Sequence, residues 1–387
     1  MIEFLSPVSK KVIAHRELIP IGSLGKVINI HQNKGVLPSL EGVTIAILGI
    51  QENRRDLDFM GATLNFDEIR KSLYSLYPGN WNHKMVDLGD IEPGNSVEDS
   101  YFALTTVTSA LLQNGIIPIV LGGSQDLVFA HYRAYDDSVK MMNMVNIDHR
   151  FDLGDADDAI SNKSYMGKII VSKPYNLFNY SVLGYQSYFN PPGEIALMDK
   201  LYFDAFRLGE ITSDITVVEP ILRDADLVTV DVSAIKSSDL SYKYHTSPNG
   251  FDSREICAIA RYAGISNRVS SFGLYELKQF SESENAATLL AQALWYFVEG
   301  VNFRVADEDF ENEKTYKTYK VPIGDEVLVF RKSNKTGRWW IEMPFISNVN
   351  NKLKRQTLLP CTYGEYLSAT NQEIPERWYK ARQKNEV

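Results

Sequence analysis

Apolar runs alternate with helix-spaced stretches along most of the chain. Val43 to Ile50 reads Val-Thr-Ile-Ala-Ile-Leu-Gly-Ile, a β-branched apolar run of the kind that forms a buried strand. Asp67 to Tyr77 places Ile69, Leu73 and Leu76 at helical spacing, and Met85 to Leu88 reads as a strand. Val97 to Asn114 is predicted as a helix with Phe102, Leu104, Val107, Ala110 and Leu111 as its apolar positions, terminated at Gly115. A strand over Ile116 to Leu121, a helix from Asp126 to Tyr135 and an apolar run from Met141 to Ile147 follow. Further strands are predicted at Tyr180 to Gly184, Leu227 to Asp231 and Val269 to Tyr275, with helices at Ser253 to Gly264 and Ala286 to Gly300. Such alternation implies an α/β fold in three layers, α-β-α, around a mostly parallel sheet.

The two ends differ from the middle. Residues 1–40 show no clear element and are expected to be an arm packed on the main domain, which spans 41–300. Beyond Gly300 the composition changes: Val327 to Arg331 and Arg338 to Glu342 predict a β-hairpin around Ser333-Asn334-Lys335-Thr336-Gly337. Residues 301–387 are therefore an appended segment, with Trp339, Trp340 and Trp378 for packing or contact.

Several predicted strands end in chemistry. The run to Ile147 stops at Asp148-His149-Arg150-Phe151-Asp152, the run to Leu121 at Gly122-Gly123-Ser124-Gln125-Asp126, and the run to Val230 at Asp231-Val232-Ser233. Val269 to Tyr275 delivers Glu276. Ligands of open α/β sheets gather beyond the carboxyl ends of the strands, so these tips predict a polar, acid-rich pocket. Asp155, Asp157 and Asp158 lack the glycine and terminal glutamate of a calcium loop, and a solvated face is expected there. The aromatics of Tyr165 to Pro192 suit core packing or a subunit contact, with stacking on a ligand as the alternative. The polar loop Asp239 to Gly250 carries His245, Asn249 and Gly250.

Charge and composition narrow the class. A formal charge of −9 argues against nucleic acid and against an anionic membrane surface. Two cysteines without metal spacing suggest a reducing compartment, and no apolar run approaches the roughly 20 residues of a membrane span. With no leader visible at Met1-Ile2-Glu3-Phe4, a cytoplasmic location is expected.

In their order, these motifs resemble the ureohydrolase superfamily of arginase, agmatinase and formimidoylglutamase. That family carries Gly-Gly-Asp-His, then Asp-Ala-His-x-Asp, then Asp-x-Asp-x-x-Asp-Pro, a glycine-containing loop and a strand ending in an acid. Here the matching stretches are Gly122 to Gln125, Asp148 to Asp152, Asp231 to Ala234, Pro248-Asn249-Gly250 and Gly273 to Glu276. The resemblance spans about residues 43–300. It implies an arginase-like fold, hydrolysis of C–N bonds in linear amidines by a two-manganese centre, a guanidino or formimino ligand, and assembly into a homo-oligomer.

Carried over position by position, the six metal ligands are only half kept. Asp148 and Asp231 match the bridging carboxylates, and Asp152 a terminal ligand of the first metal. Gln125 stands for the first-metal histidine, Arg150 for the second-metal histidine and Ser233 for the second-metal aspartate. A guanidinium cannot coordinate a cation. The two-manganese centre is therefore not expected: Gln125, Asp148, Asp152 and Asp231 would hold at most one Mn²⁺ or Mg²⁺, or none. Arg150 is expected to replace the second metal as the positive charge between Asp148 and Asp231. His149 is expected in a hydrogen bond at the sheet flank, with a register-shifted ligand role as the alternative, and Asn249 and Gly250 nearby in the pocket. Glu276 resembles the acid that holds the amidine. The implied function is lost or strongly reduced catalysis, with a ligand-binding or structural role; the alternative is a single-metal amidine hydrolase with Arg150 as electrostatic stabiliser.

Overall fold

A computed structural model describes residues 1–58, 64–138, 141–155, 157–240, 247–277, 284–307, 312, 314–343 and 358–386. The main sheet contains β1 (Asn29–Ile30), β2 (Val43–Ile50), β3 (Lys84–Ile91), β4 (Ile117–Gly122), β5 (Met142–Ile147), β6 (Leu177–Tyr185), β7 (Asp204–Arg207), β8 (Leu227–Asp231) and β9 (Ser271–Tyr275). Its order is β1-β3-β2-β4-β9-β8-β5-β6-β7, and every recorded pairing is parallel.

Both faces are covered, as the near-continuous apolar strands require. On one side the helices Asp67–Ser75, Ser253–Ile265 and Glu284–Asn302 pack against Ile45, Ile47, Ile119, Val228 and Phe272. On the other the helices Val97–Gln113, Leu127–Arg133 and Tyr165–Val171 cover Ala46, Leu48, Val120 and Met144. The predicted three-layer α-β-α architecture is the observed one. Buried between strand and helix is a charged cluster. Arg70 donates Nε to Asp87 Oδ2 at 2.8 Å and Nη2 to Asp87 Oδ1 at 3.2 Å, and Tyr74 donates its hydroxyl to Asp87 Oδ2 at 2.8 Å.

The first 40 residues differ from the expected featureless arm. They form helices at Lys10–Leu18 and Leu24–Val27, and β1 extends the sheet beside β3. The pattern hid this because the segment packs through scattered residues (Val8, Val12, Ile19, Leu24) rather than through one periodic face.

The C-terminal residues form a four-stranded antiparallel sheet from β10 (Tyr316–Ile323), β11 (Glu326–Ser333), β12 (Trp339–Glu342) and β13 (Leu358–Cys361), followed by helices at Tyr363–Thr370 and Glu376–Glu386. The predicted hairpin is β11–β12. Its core contains Phe330, Trp339, Ile341 and Trp378. Arg223, at the end of the helix Val218–Arg223, docks this unit. It donates Nη2 to the carbonyls of Trp339 and Cys361 at 3.1 and 3.4 Å, and its guanidinium carbon lies 4.3 Å from the Trp340 ring centroid.

Candidate active site

The carboxyl ends of β4, β9, β8 and β5 stand consecutively in the sheet, so Gln125, Glu276, Asp231 and Asp148 meet at one edge. The β4 turn needs its glycines: a Cβ on Gly123 would lie 1.9 Å from the carbonyl oxygen of Glu52. Asp152 and Glu276 adopt φ of 52° and 62°. These left-handed values are rare outside glycine, and two of the five described non-glycine examples fall in this site. Past β5 and β9 the backbone thus turns sharply at these two acids. The amide of Glu276 bonds to the Gly123 carbonyl at 2.7 Å, and its Oε1 accepts from the Gln125 amide at 2.8 Å and Asn162 Nδ2 at 3.4 Å.

Above these residues lies a cavity of about 530 Å³. Asp152, Asp231, Glu276, Ser233, His149 and Arg150 line it, together with Asp58, Asn162, Lys163, Phe189, Ser247 and Pro248. Asp148 and Gln125 are buried beneath. Burial, then the Asp152 charge, holds Asp148 well above the ordinary carboxylate range. Burial followed by Asp231 does the same to Asp152, and burial followed by Asp148 and Glu276 to Asp231. Asp148 and Asp152 each disfavour the charged form of a close acidic neighbour, so the cluster resists full ionisation without a cation.

Arg150 does not sit between the aspartates. Its amide donates to Asp148 Oδ1 at 2.9 Å, but its side chain turns away and donates Nε–H to His149 Nε2 at 3.2 Å. The guanidinium carbon lies 5.4 Å from the Phe189 ring centroid. The reason is local: the Asp148 carboxylate accepts the amide two residues on, forming a turn that directs residue 150 towards the cavity wall.

His149 also departs from the expected flank position. Its Nδ1 lies 3.3 Å from Asp148 Oδ1 and 3.4 Å from Ser233 Oγ, inside the site. The face-alternation rule fails here because residue 149 has already left the strand. Asn249 and Gly250 line a neighbouring groove of about 400 Å³, where Asn249 Nδ2 bonds to Tyr188 and Gln186. His245 lies outside the described residues, and Asp155, Asp157 and Asp158 are exposed.

The sequence reading missed Asn146. Its Nδ2 donates to Asp148 Oδ2 at 2.9 Å, and its Oδ1 accepts from Gln125 Nε2 at 3.2 Å and Thr229 at 2.8 Å. An amide inside the apolar run of β5 was the available signal. Asn162 and Lys163 were also missed; they come from a loop with no motif of its own.

For two metal ions the residues do not fit. Arg150 offers no lone pair, Ser233 is no carboxylate, and His149, accepting at Nε2, carries its proton on Nδ1. For one ion they fit better: Asp148, His149 and Asp231 bring possible ligand atoms within 4.8 Å of one another, Asp152 lines the same cavity, and buried Gln125 Oε1 has no hydrogen-bond partner.

Similarity to known proteins agrees with this layout. The Arginase family profile matches residues 43–298. A formimidoylglutamase of Hahella chejuensis is 32% identical over 185 residues, 44% of this chain and just 55% of that protein. One from Streptococcus gordonii is 23% identical over 70% of this chain and 88% of its own. In structure, a Trypanosoma cruzi formiminoglutamase solved with Mn²⁺ superposes with a TM-score of 0.62 at 17% identity, covering 73% of this chain and 99% of that one. The Bacillus subtilis formimidoylglutamase gives 0.61 at 16% identity, over 68% and 88%. Among the described residues no helix is long and apolar enough to cross a membrane. With its strand tips in the family's order and its profile match covering most of the nine-stranded domain, the chain belongs to the arginase family.

Proposed function

We propose that this arginase-family chain is a small-molecule-binding relative of the formimidoylglutamases in which two-manganese hydrolysis is lost or strongly reduced. The observation that carries the reading is the state of Asp148. The bridging carboxylate of the family is here engaged by the Arg150 amide, Asn146 Nδ2 and His149 Nδ1, while Arg150 and Ser233 replace the private ligands of the second ion. Metal shells tolerate little change in their ligands. Glu276, pinned by the Gln125 amide, is positioned to meet a guanidino or formimino group. Elemental analysis of protein dialysed against Mn²⁺ tests the reading. At most one ion per chain is expected, with hydrolysis of formiminoglutamate, arginine and agmatine at background; two ions with turnover would overturn it.

A second reading rests on Gln125 Oε1, the buried oxygen without a partner. In it Gln125, Asp148, Asp152 and Asp231 hold one Mn²⁺ or Mg²⁺. Such an ion supplies a Lewis acid and a water of lowered pKa. Arg150 would then steady negative charge at the cavity wall, and Glu276 would orient the amidine. Amidine turnover that appears with a dose-dependent, Mn²⁺-induced rise in melting temperature would favour it.

A further inference from the structure

Another cavity, of about 510 Å³, lies at the opposite edge of the main sheet. It opens where β3, β2, β4 and β9 begin: His83 precedes β3, Thr44 and Ile117 stand at the starts of β2 and β4, and Ser270 precedes β9. These four strands are consecutive in the sheet. Arg304, two residues beyond the helix Glu284–Asn302, lines the cavity. It donates Nε–H to the Gly264 carbonyl at 2.9 Å and Nη2 to the Val269 carbonyl at 2.8 Å. Nη1 and the second Nη2 proton have no partner among the described residues. No described carboxylate pairs with this guanidinium, and none is in the cavity lining. Burial lowers the Arg304 pKa to about 10, with no acid acting in the opposite direction.

The two carbonyl bonds account for one edge of the guanidinium. They cap the carboxyl end of the helix Ser253–Ile265 and tie it to the residues leading into β9. The other edge, Nη1 with Nη2, is one that grips an oxyanion through parallel hydrogen bonds. Because two bonds already hold the side chain, little rotamer entropy is lost when that edge is occupied. His83 adds a ring nitrogen: Nδ1 lies 3.3 Å from Thr44 Oγ1, and Nε2 has no partner among the described residues. Leu112, Ile116, Ile117, Val269 and Val301 supply an apolar wall. The helices Val97–Gln113 and Glu284–Asn302 also end here, and helix carboxyl ends disfavour a multiply charged anion. One guanidinium, an apolar wall and no acid suit a single carboxylate on an apolar body, in a volume usual for small-molecule sites.

We infer that this cavity is a second small-molecule site, in which the Nη1 and Nη2 edge of Arg304 binds the carboxylate of a small apolar monoacid. Its place at the amino ends of the strands separates it from the acid-rich pocket at their carboxyl ends. It does not depend on what that pocket binds.

Ligand-observed NMR titration of the full chain tests this with three probes. Butyrate carries the acid on an apolar body, butyramide has the same body without the charge, and inorganic phosphate is an oxyanion without the body. The wild type is expected to bind butyrate roughly tenfold tighter than butyramide, the size of one charge-assisted contact, and tighter than phosphate. Arg304→Gln should erase that preference, and Arg304→Lys should restore part of it. Leu112→Trp places bulk at the cavity wall and leaves the Arg304 bonds intact, so it should weaken butyrate while the guanidinium remains. Melting temperature checks that each variant folds; should Arg304→Gln fail to fold, Leu112→Trp decides. Equal binding of butyrate and butyramide by the wild type, a preference that survives Arg304→Gln, or butyrate binding untouched by Leu112→Trp overturns the site. A preference lost in Arg150→Gln but kept in Arg304→Gln puts the anion in the other pocket and overturns it too. Phosphate binding tighter than butyrate overturns the apolar monoacid, and silence from all three probes overturns the site altogether.

Discussion

Arg150 donates its Nε–H to Nε2 of His149 at 3.2 Å, and this bond sets the tautomer of the imidazole beside Asp148. A neutral ring that accepts at Nε2 carries its proton on Nδ1, which faces Asp148 Oδ1 and Ser233 Oγ. Burial, reinforced by the Arg150 charge, pushes the His149 pKa down to about 3, so the ring does not become a cation near neutrality. The residue at the family's second-metal histidine position thus takes up the Nε2 lone pair of its neighbour.

Restoring the ligands should restore the ions. The triple variant Gln125→His, Arg150→His, Ser233→Asp is expected to bind two Mn²⁺ per chain by elemental analysis. Arg150→His alone leaves Ser233 in place and should bind no more than one. A triple variant without manganese would show that the position-by-position match to the family is wrong.

Removing Arg70 should be severe. Its substitution by Met leaves Asp87 and Asp90 in the interior without their guanidinium. Breaking a buried pair from one side costs about 3–5 kcal/mol. The urea midpoint should fall with little change in slope.

His131 makes stability sensitive to acid. Its Nδ1 is 2.7 Å from the Tyr275 hydroxyl, its Nε2 contacts Ser271, and burial pushes its pKa from 6.5 down to about 3. Below about pH 6.5 the unfolded imidazole takes a proton that the folded one refuses, so stability falls as pH drops. This group contributes about 1.4 kcal/mol per pH unit until about pH 3, where the folded form also protonates. His131→Gln should flatten the fall relative to wild type in urea melts across that window; an unchanged slope would rule the group out.

Arg223→Leu should loosen the C-terminal unit. The variant loses the bonds to Trp339 and Cys361, the Trp340 contact and the 3.0 Å pairing with Glu219. A destabilisation of about 2 kcal/mol is expected. Limited proteolysis should then release a fragment beginning after residue 300 sooner than in wild type.

The strands, the wrapping helices and the acid at each strand tip were legible because buried parallel strands are written as apolar runs with polar ends, a pattern that survives without knowing the neighbours. The motif order identified the kind of sheet and which ligand positions had changed. Tertiary structure alone decided that β9 lies between β4 and β8 and so brings Glu276 to the Gln125 amide. It also decided that His149 turns inward, that Arg150 turns aside, and that Asn146 supports Asp148 from below. Inside a strand, side-chain direction follows a period of two and can be counted along the chain. Beyond its last residue, direction depends on turn dihedrals such as the positive φ of Asp152 and Glu276, and on which donors the rest of the fold brings within reach.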